Sequence, residues 1–90
     1  MDNRLKDSTI FVSLTLMSEL GRVKAFEFAN VYWPGKYSNN NKASFAGRNF
    51  LFKLRKYGYL IAFTRNEFTK QYFVFEVSPL GFEFLNSYKG

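Results

Sequence analysis

Apolar side chains recur along this chain with two different periods, and the change of period divides it. From residue 7 to residue 58 the spacing is helical. In "DSTIFVSLTLMSELG", Ile10, Leu14 and Met17 fall on one side, with Phe11 and Leu20 beside them. Asp7 or Ser8 is suited to cap that helix, and Gly21 is suited to end it in the left-handed conformation. "RVKAFEFANVYWPG" predicts a shorter helix with Val23, Phe26, Ala29 and Tyr32 or Trp33 on its buried side, stopped by Pro34-Gly35. "KYSNNNK" is loop, because successive Asn side chains compete for local backbone bonds and favour caps. A third helix is expected over about residues 42–57, starting between Asn41 and Ser44 and closed by Gly58. Ala43, Gly47, Phe50, Leu51, Leu54 and Tyr57 share one side of it. Gly47 costs that helix about 1 kcal/mol relative to Ala, a cost that a close helix–helix crossing would justify.

Beyond Gly58 the period becomes two. "YLIAFT" and "QYFVFEV" are rich in β-branched and aromatic residues and flank polar "RNEFTK", which predicts a β-hairpin over residues 61–77. Pro79 stops the second strand, and "LGFEFLNSY" predicts a last short helix with Phe82, Leu85 and Tyr88 inward. The expected fold is α+β, mainly α: three helices, a two-stranded hairpin and a short C-terminal helix in a single domain over residues 1–90. It is a helix-turn-helix followed by a hairpin.

Composition adds a constraint on size. Ninety residues bury a smaller fraction of their surface than a long chain does, so the core must be dense. Twelve Phe, six Tyr and one Trp supply that density, and a few of these rings are expected at a partner interface. With no Cys and no His, disulfides, Cys/His zinc sites and thiol or imidazole catalysis are excluded. The seven acids form no pair or cluster by spacing; Glu27 and Glu76 can meet in a fold only as any two residues can. There is no phosphate-binding glycine loop. The chain is therefore expected not to be an enzyme, and to need no metal, cofactor or small-molecule effector. No apolar run reaches the roughly 20 residues of a membrane helix, and "MDNRLKDST" is polar rather than signal-like, so a cytoplasmic protein without a membrane partner is expected.

Charge changes the picture most. The net charge is +6, and residues 36–70 carry eight basic side chains against the single acid Glu67. A basic region this localised is the footprint of a polyanion binder. On the third helix, Arg48, Asn49, Arg55 and Lys56 lie opposite the apolar stripe, with Ser44 and Lys53 at its margins and Lys42 at its start. A helix fits the major groove of B-DNA, where Arg or Lys can bond guanine O6/N7 and Asn can pair with adenine N6/N7. Ser44, Arg48 and Asn49 sit near the helix N-terminus, where base contacts concentrate in such motifs; Lys53, Arg55 and Lys56 lie further along, placed for backbone phosphates or solvent. Arg65, Asn66 and Lys70 at the hairpin tip can reach an adjacent minor groove or phosphates. Phe45 and Phe52 fall on the same basic side. Either the hairpin covers Phe52, or Phe45 packs under the Asn-rich loop, or both rings form a surface that docks another protein.

The stretch "LFKLRKYGYLIAFTRNEFTKQYFVFEVSPLGFEFL" resembles the winged-helix superfamily, and in particular small prokaryotic regulators of the MarR and PadR kinds. It looks like the end of a recognition helix with Leu, two basic residues and Gly, then a wing, then a Tyr/Phe-x-Val-Ser-x-x-Gly closure. The likeness covers about residues 8–86. It implies double-stranded DNA binding, usually as a homodimer, with Ser44, Arg48 and Asn49 at the groove and residues 65–70 as the wing. The connection "WPGKYSNNNKAS" is long for this motif. The long terminal dimerisation helices of those families are missing, which leaves the first or last helix for self-association. The expected function is sequence-specific DNA binding in transcription regulation. The alternatives are a protein-interaction, segregation or replication adaptor of the phage, plasmid or viral kind, and a single-stranded nucleic-acid binder that stacks bases on Tyr and Phe.

Overall fold

The computed structural model describes residues 4–64 and 73–88. Its elements run α1 (Asp7–Leu20), β1 (Val23–Lys24), α2 (Ala25–Tyr32), α3 (Asn40–Lys56), β2 (Leu60–Thr64), β3 (Phe73–Val77) and α4 (Pro79–Ser87). The protein is thus mainly helical α+β, with four helices against a small antiparallel sheet. The sheet has three strands in the order β1-β3-β2, not the two of a lone hairpin.

The extra strand comes from Val23–Lys24, which the helical spacing assigns to α2. Extended backbone there lets Val23 pair with Phe75 and Lys24 with Val74 on the edge of β3. The helix consequently starts at Ala25 and buries Ala25 and Phe28 beside the expected Ala29, while Val23 is buried from β1 and Phe26 is left half-exposed. The Lys24 backbone N–H donates to Glu27 Oε1 at 2.8 Å, which satisfies one of the free donors at the helix start. On the other edge, β2 pairs with β3 from Leu60↔Val77 to Thr64↔Phe73. β3 follows the two-residue period: Phe75 and Val77 face the core, while Glu76 points outward to Arg22, with Nε and Oε1 2.9 Å apart. Glu27 and Glu76 therefore have separate partners, the Lys24 backbone N–H and the Arg22 guanidinium.

The first helix follows its sequence pattern, with Ile10, Leu14 and Met17 fully buried and Gly21 ending it at φ +80°. α3 begins earlier than expected. Asn39 is its cap, accepting from the Lys42 N–H at 2.9 Å, so Asn40 and Asn41 join the helix. Its buried residues are Ala43, Gly47, Leu51 and Leu54, with Phe50 and Tyr57 half-buried beside them. At Gly47 the helices α2 and α3 touch backbone to side. A Cβ on Gly47 would run into the Ala25 carbonyl oxygen and come within 3.2 Å of Ala29 Cβ. This is the close crossing that offsets the cost of a mid-helix glycine. Further along the same interface Phe50 packs among Phe28, Tyr32 and Trp33, with ring centroids 5.7, 5.3 and 5.5 Å away.

The last helix is rotated relative to its expected face. Ser78 caps it, accepting from the Gly81 N–H at 3.0 Å, and Pro79 occupies the first turn, where its missing N–H costs nothing. Gly81 is buried against the Tyr59 carbonyl, so residues 81, 84, 85 and 88 face inward. Phe82, expected inside, is exposed. Phe84 takes its place, packing on Tyr59 at 5.1 Å and on Tyr88 at 5.5 Å, and Tyr88 stacks on Phe11 of α1 at 4.7 Å. The chain before α1 is tied to the far end of α3: the Leu5 N–H donates to the Tyr57 hydroxyl at 3.1 Å, and Arg4 lies over the Tyr57 ring. Among the described residues, no helix is long and apolar enough to cross a membrane.

Candidate nucleic-acid interface

α3 carries Lys42, Arg48, Lys53, Arg55 and Lys56 and no acidic residue. Its buried stripe is held by α2, which fixes which side remains outward. On that outer side Lys42, Asn49, Lys53, Arg55 and Lys56 are exposed, while Ser44 and Arg48 are half-buried. Seven residues expected to contact a partner thus lie on one helix, five of them open to solvent and two nearer its flank. Lys53, Arg55 and Lys56 occupy the last turn, where cations also favour the negative end of the helix dipole. The first turn has no carboxylate, so the positive end keeps its attraction for anions.

The hairpin residues Arg65, Asn66 and Lys70, with Phe68 between them, lie outside the described residues. The strands on either side of that segment, β2 and β3, are in register over five pairs. Arg22 braces these strands from outside, with its guanidinium 4.4 Å from the centre of the Phe63 ring.

The two puzzling rings separate. Phe52 turns toward the sheet and meets Phe75 of β3 edge-on, with centroids 5.6 Å apart, so the sheet covers it in part. Phe45 does not pack under the Asn-rich loop. It is 69 % exposed, on the outward side of α3. Its position opposite the apolar stripe was readable from the helical spacing; what spacing could not tell was whether the preceding loop folds over it.

The structure also holds a second surface, which the sequence pattern does not single out. Between α1 and α2 runs an apolar groove of about 420 Å³ lined by Phe11, Val12, Thr15, Leu16, Glu19, Val31 and Tyr32. Val12 and Val31 on its rim are 55 % and 50 % exposed. The signal was present in α1, which has apolar residues at 12, 16 and 20 as well as on its buried side. Asp7, bonded to Arg4 at 2.9 Å, and Glu19 are the charged residues of α1, and it has no Lys or Arg.

Comparisons with protein-family models, with curated proteins and with solved structures return no match.

Proposed function

We propose that the protein is a sequence-specific double-stranded DNA-binding protein of the winged-helix kind, acting in transcription regulation. α3 is its recognition helix and the segment between β2 and β3 its wing. The observation that carries this reading is the outer face of α3, where exposed cationic and amide side chains stand on a helix anchored by its opposite side. Lys42, Lys53, Arg55 and Lys56 supply affinity through phosphates, and Asn49 with Ser44 and Arg48 supplies discrimination at base edges. Arg65, Asn66 and Lys70 add contacts from the wing.

The same reading makes the protein a homodimer. A second copy is the occupant that suits the α1–α2 groove. Two chains of charge +6 repel, and α1, which lacks basic residues, is where they meet with least repulsion. A dimer would select DNA with two-fold symmetry and half-sites about one helical turn apart.

The test is to capture genomic fragments on the purified protein, sequence them, and titrate the selected duplex with salt and with single-stranded competitor. Enrichment of a common duplex site, with affinity falling steeply between about 50 and 200 mM salt, is the expected result. The groove also favours a second reading, a protein-interaction or segregation/replication adaptor of a phage, plasmid or virus. Weak, salt-insensitive association with DNA would turn the conclusion to it. Preference for the single strand would turn it to base stacking on aromatic side chains.

A further inference from the structure

Phe45 is the most exposed large apolar side chain among the described residues, and nothing in the fold accounts for it. It sits in the first half of α3, in the middle of the outward face. Residues three and four apart on a helix are surface neighbours, with Cβ atoms about 5–6 Å apart. Those neighbours of Phe45 are Asn41, Lys42, Arg48 and Asn49. Every one of them carries hydrogen-bond donors. Along α3 the ring is therefore a single apolar point among polar and basic neighbours, and no second exposed large apolar residue of the helix extends it into a patch. A protein-docking surface needs a contiguous apolar area, and α3 offers none.

Duplex DNA presents one apolar feature at a base edge in the major groove, the C5-methyl of thymine. Its partner adenine presents N7 and N6 in the same groove, the pattern that an Asn amide matches in two bonds. We propose that Phe45 is the thymine-reading residue of α3, packing its ring on a thymine methyl while Asn49 pairs with a neighbouring adenine. The inference rests on the duplex-binding reading above and adds to it a base preference and the residue that sets it. It also explains why a solvent-facing helix keeps a large ring at this position: bound DNA removes it from water.

The test separates the methyl from everything else on the base. Within the duplex site selected from genomic fragments, each thymine is replaced in turn by deoxyuridine, which keeps the pairing and the hydrogen-bonding edge and deletes only the methyl. Binding of wild-type protein and of Phe45→Ala is measured on both. Wild type is expected to lose about fourfold in affinity at the contacted thymine, the worth of one buried methyl. Phe45→Ala is expected to bind the thymine and uracil duplexes equally. The proposal is overturned if wild type binds the selected duplex yet ignores every uracil replacement, or if Phe45→Ala keeps the preference for thymine. Failure of wild type to bind any thymine-containing duplex selectively overturns the duplex-binding reading itself, and this inference with it. Tighter binding of single strands, lost in Phe45→Ala, overturns it in favour of base stacking.

Discussion

Gly47 of α3 lies against the backbone carbonyl of Ala25 in α2, with no room between them for a methyl group. The contact sets the distance between the two helices that fix the outward basic side of α3. In an isolated helix, Gly47→Ala would stabilise by about 1 kcal/mol. Here the overlap reverses the sign, and a net loss of about 1–3 kcal/mol is expected, as for other overpacked sites. Chemical denaturation measures it, and an unchanged or raised midpoint would refute the close crossing.

The two Phe residues on the basic side of α3 are expected to behave oppositely. Phe52→Ala removes a ring packed on Phe75 and is expected to cost about 2 kcal/mol, below the 3–5 of a fully buried Phe because Phe52 is only partly covered. Phe45→Ala leaves folding stability within about 0.5 kcal/mol, as exposed positions do. Paired thermal melts of the two variants decide the matter.

Ser78 holds a junction. Its hydroxyl donates to the Gly58 carbonyl at 2.6 Å while accepting from the Gly81 N–H. Ser78→Ala strips the cap from α4 and leaves a carbonyl at the end of α3 without that donor. About 1–3 kcal/mol of stability is expected to be lost, combining a cap with an unsatisfied polar group. Ser78→Thr, which keeps the hydroxyl, is expected to recover part of it.

On DNA, Lys56→Ala is expected to weaken selected and random duplexes alike and to lower the slope of log affinity against log salt by about 1. Asn49→Ala and Arg48→Ala are expected to cost about 1–3 kcal/mol on the selected site and little on random sequence. Equal losses on both duplexes would reassign Asn49 and Arg48 to phosphate contact.

Val12→Glu puts a charge on the rim of the α1–α2 groove. Sedimentation velocity is expected to register a shift from dimer to monomer, with thermal stability of the fold unchanged because Val12 is already exposed. A dimer that survives the substitution would move the interface elsewhere.

The parts of the fold written in local periodicity were legible in the sequence. α1 and α3 declare themselves through repeated helical spacing, and β2 and β3 through alternation. What escaped depends on partners distant in the chain. β1 is two residues long, and its only mark is its pairing with β3, some fifty residues away. Spacing puts Phe82 in the core, but Phe84 lies there instead, because Gly81 seats α4 against Tyr59, a contact no spacing reveals. For the candidate site, the basic character of α3 was plain from the side opposite its apolar stripe. The fate of Phe45 was not, since exposure is decided by what the loop before it does.

The central position of β3 has a mechanical consequence. One edge of it is bonded to the residues that lead into α2, and the other to the strand that leaves α3. Both helices are therefore roped to a common spar, in addition to touching at Gly47. If α3 binds DNA as proposed, the helix it uses is already held in place by the rest of the fold, so less of the binding energy goes into ordering the protein.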